Sequence, residues 1–264
     1  MTGKQDSDKH IDELQREKID YRSRRNKGKE DRETVASVMD TRTLFTFNDF
    51  LNKGIIESMV GIISAGKEAN VYLGRYEDHS EIAIKVYKID SNSAKWMREY
   101  LLGDPRFTKI SHNVSHIIFT WARKEFKNLK RTQSGGVPVP NPLNVKNNVL
   151  LMEFIGENGT PAPRLKDVEI KGEIDPYYQQ TIGFIRDLYK KANLVHADLS
   201  EFNILYWKGK LTVIDMSQSV MVEHPKARFF LARDIKNVNA YFEKMGAKIR
   251  PPLEIYEEII QDSD

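Results

Sequence analysis

The chain of 264 residues contains no cysteine. Disulfide bridges, thiolate metal sites and a cysteine nucleophile are therefore excluded. The sequence also has no uninterrupted apolar run near the roughly 20 residues of a membrane-spanning helix, and residues 1–9 are too polar for a signal peptide. Its 41 basic residues nearly balance its 38 acidic ones, so net charge alone does not indicate a nucleic-acid partner. We expect a cytoplasmic protein with no membrane segment, long enough for one large domain or two lobes.

The first 40 residues form a predicted charged N-terminal arm. More than half of residues 1–33 are charged, and apolar residues are few, so this arm can bury little surface. The basic run at 22–29 could contact RNA phosphates. A solvated tail is the alternative interpretation, and the sequence does not decide between the two.

Hydrophobic periodicity predicts an antiparallel meander followed by helices. The predicted strands are 59–63, 70–75, 82–86 and the buried run 149–155; the predicted helices are 43–51, 117–129, 177–191, 228–245 and 253–260. Residues 88–115 have no clean period and are predicted to be an inserted loop. Prolines exclude a central strand at 137–142, which is predicted to be an extended connector.

The most informative pattern runs from Leu194 to Leu205. An apolar pair leads into His196, Asp198 and Asn203 follow, and a second apolar run ends at Asp215. This is the protein-kinase catalytic-loop pattern H-R-D-L-x-x-x-N with alanine in place of arginine. An aspartate can accept the proton of an attacking hydroxyl, and an asparagine and a second aspartate can hold Mg²⁺. The alternative is a β-hairpin with polar residues in its loop.

A second candidate site precedes the strand at 70–75. Gly61 and Gly66-Lys67 have the spacing of a Walker phosphate loop, but Glu68 replaces the metal-binding hydroxyl and a strand follows where a helix is required. A hairpin loop over nucleotide phosphates, including Ser64, Gly66, Lys67 and Glu68, fits better, because Gly66 allows close backbone approach.

Lys85 lies inside an otherwise apolar strand and therefore needs an anionic partner. Kinases use a lysine at this position to hold phosphates and a helix glutamate, for which Glu125 is the candidate. The alternatives are an edge lysine with its head in water and an ordinary exposed glutamate. In kinases the strand at 149–155 would place Met152 behind an adenine pocket and Glu153 to Ile155 along its edge, although it would be a core strand in either case.

Six ordered motifs resemble the RIO family of atypical serine/threonine protein kinases, in the branch without an N-terminal winged helix. They are 64–72 (SAGKEANVY), 84–87 (IKVY), 103–107 (GDPRF), 124–129 (KEFKNL), 195–203 (VHADLSEFN) and 214–220 (IDMSQSV). Ala65 stands where the family usually has threonine. The resemblance implies an α+β, two-lobed protein-kinase-like fold, with an antiparallel β-sheet N-lobe and a mainly helical, truncated C-lobe.

The resemblance further implies ATP and Mg²⁺ (or Mn²⁺) between the lobes. Asp198 would be the catalytic base, Asn203 and Asp215 the metal ligands, and Lys85 a phosphate-holding residue paired with Glu125. Glu201 is placed with the cofactor-binding residues. The expected domains are the arm 1–40, an N-lobe 41–155, a C-lobe 156–250 and a C-terminal helix and tail 251–264. The implied partner is the pre-small-subunit ribosomal particle, protein and rRNA; a monomer and a weak dimer are both compatible with the sequence.

Four functions remain open at this point: an autophosphorylating serine/threonine kinase, an ATPase switch that forms an aspartyl-phosphate at Asp215, a small-molecule phosphotransferase and a catalytically silent RNA-particle module. Only 49 residues follow Asp215, which favours the switch over a kinase with a peptide-docking subdomain. Motif 103–107 argues against a small-molecule phosphotransferase, and the complete set of kinase residues argues against a silent module. Because Ala197 replaces arginine, we expect no regulation by activation-loop phosphorylation.

Overall fold

A computed structural model describes residues 40–107, 109–170 and 172–261, and its chain divides into two compact units. The first unit takes in residues up to 61 together with 74–80. Its helix α1 (Thr41–Asn52) begins at Asp40, whose carboxylate accepts hydrogen bonds from the backbone N of Arg42 (3.0 Å) and Thr43 (3.2 Å). After α1 the chain turns through Gly54, which has a φ of 63°. The predicted helix and its glycine stop are confirmed.

The second unit, residues 62–73 and 81–264, contains a five-stranded sheet. Its strands are β1 (Ser58–Ala65), β2 (Ala69–Arg75), β3 (Glu81–Tyr87), β4 (Pro142–Lys146) and β5 (Val149–Glu153), of which β1 and β2 extend into the first unit. The order is β1-β2-β3-β5-β4, and β3 pairs antiparallel with β5, so that Lys85 lies opposite Leu150. Pro142 is the first residue of the edge strand β4, a position that needs no ladder donor.

Two helices follow β3, α2 (Ser91–Leu102) and α3 (Val114–Ser134). Helix α3 confirms its prediction, but the inserted loop predicted for 88–115 is wrong over α2. Asp90 caps α2 by accepting from the backbone N of Ser93 at 2.7 Å, and Met97 and Leu101 are fully buried at helical spacing. Polar residues between these buried positions hid the period.

The remaining helices are α4 (Asp175–Lys190), α5 (Ala227–Lys244) and α6 (Pro252–Gln261), all at predicted places. They share one core with the short strands that carry the kinase-like loop. These strands are β8 (Leu194–Val195), paired with β11 (Val220–Met221), and the hairpin of β9 (Ile204–Trp207) and β10 (Lys210–Val213); β6 (Gly156–Glu157) pairs with β7 (Thr160–Pro161).

The antiparallel sheet and mainly helical second part confirm the predicted fold class. The lobe boundaries stay predictions, and the charged arm lies outside the described residues apart from Asp40. Among the described helices, none combines the length and the apolar character that a membrane span requires.

Two glycines give opposite predictions for stability. A Cβ on Gly156, which has a φ of 157°, would lie 2.3 Å from the backbone O of Thr160, whereas a Cβ on Gly183 in α4 would meet only the end of Arg186, at 3.8 Å. We expect Gly156→Ala to lower the free energy of unfolding by about 1–3 kcal/mol and Gly183→Ala to raise it by about 0.5–1 kcal/mol. Urea unfolding measures both, and equal midpoints for the two variants would contradict the described turn.

Candidate active site

The β9–β10 hairpin brings the two halves of the kinase-like pattern together. Asn203 immediately precedes β9 and Asp215 follows β10, so a tight turn at Lys208-Gly209, both with positive φ, returns the chain to its starting end. The backbone N of Ile214 donates to the O of Asn203 at 2.9 Å. Asn203 and Asp215 therefore lie side by side.

Asp198 is held from two sides by amide groups. The Nδ2 of Asn203 donates to the Asp198 backbone O at 2.8 Å and to its Oδ2 at 3.3 Å, and the Nε2 of Gln218 donates to the same Oδ2 at 3.1 Å. Burial, and then the charge of Asp215, raise the pKa of Asp198 above its ordinary value. Protons therefore bind this carboxylate more readily than a free aspartate, as a proton acceptor requires.

Lys85 binds two carboxylates in the interior. Its Nζ lies 2.8 Å from Glu125 Oε1 and 2.9 Å from Asp215 Oδ1, and the other Glu125 oxygen accepts from the hydroxyl of Tyr87. Burial alone would lower the pKa of Lys85, but the two carboxylates outweigh it and raise that pKa. The predicted pairing of Lys85 with Glu125 is confirmed as a contact.

The carboxylate of Asp215 remains ionised although it is partly buried. Burial would raise its pKa, but Lys85 and the hydroxyl of Ser217, which donates to Oδ1 at 2.7 Å, lower the pKa to about 2. The side chain is still 41% exposed, and Asp215 lines a cavity. Asp215 is therefore a charged group that a ligand can reach.

This cavity has a volume of about 590 Å³, within the usual range for small-molecule sites. Eleven of the thirteen residues expected in the site are among those that line it: Ser64, Gly66, Lys67, Glu68, Lys85, Met152, Glu153, Ile155, Asp198, Asn203 and Asp215. Glu125 lies behind Lys85. Glu201 begins a short 3₁₀ turn and is not among the residues that line this cavity. Its placement with the cofactor-binding residues stays a prediction.

The cavity is lined by both apolar and charged side chains. Apolar side chains from the sheet and the β9–β10 hairpin include Ile63, Val71, Ala83, Leu205 and Ile214, whereas Lys85, Asp198 and Asp215 supply charge. A flat apolar ring with a charged tail matches this distribution, as expected for a nucleotide.

The candidate phosphate-binding hairpin at Ser64 to Glu68 is stabilised by a backbone hydrogen bond and by one lysine side chain. Gly66 N donates to Ala69 O at 2.9 Å, and the Nζ of Lys88 donates to Gly66 O at 2.7 Å. A Cβ on Gly66 would lie 2.8 Å from Ala69 O, so the tight loop requires glycine. Glu68 lies on the same loop, and burial together with the charge of Asp215 raises its pKa to about 7.

Two side-chain oxygens in the cavity suit a magnesium ion. Among the described residues, the hydrogen bonds of these two side chains use Asn203 Nδ2 and Asp215 Oδ1, which leaves Asn203 Oδ1 and Asp215 Oδ2 available. Mg²⁺ prefers oxygen ligands and is commonly bound by one or two protein groups plus substrate phosphates. Within 40–107, 109–170 and 172–261 no group of three His, Cys, Asp or Glu forms a metal cluster.

Asp234, which the sequence patterns did not single out, binds the backbone around Asp198. From the buried face of α5 it accepts from Ala197 N at 2.8 Å and Leu199 N at 3.0 Å, on either side of Asp198. Arg233 donates to Ala197 O, and Ala197 has a φ of 67°. A charged residue at the apolar spacing of Phe230 and Val238 was the available signal.

His196 has a structural role in the same loop. Its Nε2 lies 3.2 Å from Ile214 O, which can only accept, so this nitrogen carries the proton. Burial lowers the pKa of His196 to about 4, so the ring is neutral at physiological pH. It links the loop before Asp198 to the strand end before Asp215.

The raised pKa of Glu68 predicts a pH effect on the stability of the nucleotide-free protein. Because this pKa is about 7 in the folded protein, against about 4.3 for an unfolded glutamate, folding favours the protonated form. Its stabilising contribution is complete below the unfolded value and is lost as the pH rises through 7. We expect the stability advantage of wild type over Glu68→Gln to shrink between pH 4.5 and 8 in urea titrations. If the difference in unfolding free energy between the two proteins did not change with pH, the raised pKa of Glu68 would be contradicted.

The sequence profile described as the RIO domain matches residues 70–254. "Serine/threonine-protein kinase RIO1" of Saccharomyces cerevisiae is 42% identical over 269 residues, covering 92% of this chain and 56% of that protein. "RIO-type serine/threonine-protein kinase Rio1" of Haloferax volcanii is 42% identical over 211 residues, covering 80% and 72%. The human "Serine/threonine-protein kinase RIO1" is 40% identical over 242 residues, covering 90% and 43%. The chain thus spans about half the length of several curated relatives.

Among solved structures, the Rio2 kinase-ADP/Mg²⁺-phosphoaspartate complex from Chaetomium thermophilum superposes with a TM-score of 0.65 at 21% identity, covering 81% of this chain and 64% of that one. The Rio2 kinase from the same organism gives a TM-score of 0.61 at 22% identity, covering 80% and 66%. At this identity the likeness concerns the fold, which is that of a kinase. The profile match and the relatives together establish that the chain belongs to the RIO family.

Proposed function

We propose that the chain is an ATP- and magnesium-dependent phosphotransferase, a RIO-type serine/threonine kinase that phosphorylates itself. The observation that carries this proposal is the buried bridge from Glu125 through Lys85 to Asp215, in the wall of a cavity that also contains Asp198 and Asn203. Kinases require a lysine, glutamate and aspartate in this relation for phosphoryl transfer.

Each residue has a distinct task in the proposed reaction. The adenine ring of ATP packs against the apolar lining, and Lys85 binds phosphate oxygens. A substrate hydroxyl attacks the γ-phosphorus, its proton passes to Asp198, and the bond to the β,γ-bridging oxygen breaks to release ADP. Asn203 and Asp215 would hold Mg²⁺, which when bound neutralises charge on the phosphates.

A second candidate is an ATPase switch in which Asp215 itself accepts the phosphate. Two observations favour it: the Rio2 complex from Chaetomium thermophilum contains ADP, Mg²⁺ and a phosphoaspartate, and Asp215 here is exposed to the cavity. In this reaction an Asp215 oxygen attacks the γ-phosphorus and ADP leaves. Water then attacks the acyl phosphate, releasing inorganic phosphate and restoring the carboxylate.

The segment after Asp215 also favours the switch. Residues 216–226 lead directly to α5, and two of them, Val220 and Met221, pair with β8. Such a short, paired segment offers little surface for docking a peptide substrate. We further propose the pre-small-subunit ribosomal particle as the partner and the cytoplasm as the location; the resemblance supports the first and the absence of cysteine the second.

Incubation with γ-labelled ATP distinguishes the two reactions. A label that is stable to acid and located on serine or threonine indicates the kinase. A hydroxylamine-sensitive label that disappears in Asp215→Asn, together with released phosphate, indicates the switch. Both can occur in one protein, and their relative rates decide which predominates.

Loss of the proposed base gives the quantitative prediction. We expect Asp198→Ala to lower phosphoryl transfer to a hydroxyl roughly 10²–10⁴-fold, with ADP affinity changed much less. Lys208→Ala, an exposed change in the β9–β10 turn, serves as a control and should keep full turnover. Unchanged turnover in Asp198→Ala would rule out the proposed base.

A further inference from the structure

The short segment after Asp215 is held by buried polar side chains from α3. The Nζ of Lys124 donates to Ser217 O at 2.7 Å and to Ser219 O at 2.5 Å. The Nδ2 of Asn128, one turn further along α3, donates to Met216 O at 2.7 Å and to Ser219 O at 3.0 Å. Both side chains are fully buried, so these bonds are shielded from water.

The motif 103–107 connects to the same segment through Asn128. Arg106 pairs with the buried carboxylate of Asp104, at 2.5 Å and 2.8 Å, and its Nη1 donates to Asn128 Oδ1 at 2.8 Å. Because a guanidinium only donates, the Asn128 oxygen must face Arg106 and its amide nitrogen must face the carbonyls. Arg106 therefore determines the orientation in which Asn128 can hold the segment after Asp215.

Asp215 has a backbone that needs such support. Its φ is 59°, in the left-handed region that non-glycine residues adopt uncommonly, aspartate more readily than most, and that surrounding contacts help to maintain. Lys124 binds the carbonyl of Ser217, and the hydroxyl of that serine donates to the Asp215 carboxylate at 2.7 Å. Ser217 thus connects the buried ammonium of Lys124 to Asp215, the proposed metal ligand.

We propose that Lys124, Asn128 and Arg106 form a positioning network that sets the backbone of residues 216–219 and, through it, the orientation of the Asp215 carboxylate toward Mg²⁺. The network rests on the proposed function, since it assumes that Asp215 binds the metal. It assigns a task to the motifs 103–107 and 124–129 beyond the pairing of Glu125 with Lys85.

The test separates metal binding from nucleotide binding and from folding. ADP affinity is measured by calorimetry in EDTA and in excess Mg²⁺, and the ratio of the two dissociation constants reports the metal contribution. Lys124→Met removes the donor and keeps the length of the side chain. Asn128 still donates to Ser219 O in this variant, so that one of the two carbonyls bound by Lys124 keeps a partner.

We expect Lys124→Met to reduce the metal contribution about tenfold or more, as is typical when groups supporting a metal ligand are removed, with ADP affinity in EDTA unchanged. Lys130→Met, the same substitution on the exposed side of α3, is the matched control and should behave as wild type. The proposal would be overturned if Lys124→Met left the ratio of the two ADP dissociation constants unchanged. It would also be overturned if the variant bound ADP more weakly by the same factor in EDTA and in Mg²⁺.

Arg106→Lys tests the other end of the network and decides the matter should Lys124→Met not fold. A lysine cannot reproduce the forked contacts to Asp104 and Asn128, so we expect a smaller loss of the metal contribution in the same direction. An unchanged ratio would again overturn the network. If wild type binds ADP equally with and without Mg²⁺, the proposed metal role of Asp215 is itself wrong, which is a separate outcome.

Discussion

The buried ammonium of Lys85 is the interaction on which the cavity depends. Lys85 sits in a strand whose neighbours are apolar, and its charge is tolerated only because Glu125 and Asp215 lie within 2.9 Å. These two carboxylates come from α3 and from the end of the β9–β10 hairpin, so the ion pair links the sheet, a helix and the catalytic-loop region. Charge balance at one nitrogen thus constrains three separate parts of the chain.

The contact with Lys85 gives Asp215 a pKa that differs from the pKa values of the other carboxylates in the cavity. Lys85 lowers the pKa of Asp215 to about 2, whereas Glu68, which is half-buried and faces several acidic neighbours, has a pKa of about 7. The pKa of Asp198 is raised by burial and by the charge of Asp215. When local environments shift the pKa values of similar carboxylates in opposite directions, one cavity can contain both a carboxylate that stays charged and one that accepts a proton.

Local sequence predicted the residues of the cavity well. Lys85, Asp198, Asn203 and Asp215 were identified by spacing and chemistry, because kinase-like sites use short loops whose residue order survives in the sequence. Glu201 belongs to the same loop and begins its 3₁₀ turn, but it is not among the residues that line the cavity, and its role stays a prediction.

What the sequence did not reveal depends on tertiary contacts. Helix α2 was missed because its buried residues are dispersed among polar ones, and only packing shows which face is internal. Asp234 and Lys124 look like ordinary surface charges until α5 and α3 are seen to present them to backbone groups of distant loops. Asp234 does fall at the apolar spacing of Phe230 and Val238, but the sequence does not show which backbone groups its carboxylate reaches.

Lys124 and Glu125 are adjacent residues that bind different targets, one a loop backbone and the other a strand lysine. In α3 their side chains project about 100° apart, so the helix is fastened in two directions at once. Rotation or outward displacement of α3 would therefore have to break both attachments together. Through Lys85 and through Ser217, both attachments end at the Asp215 carboxylate, so a shift of α3 changes the geometry at that group.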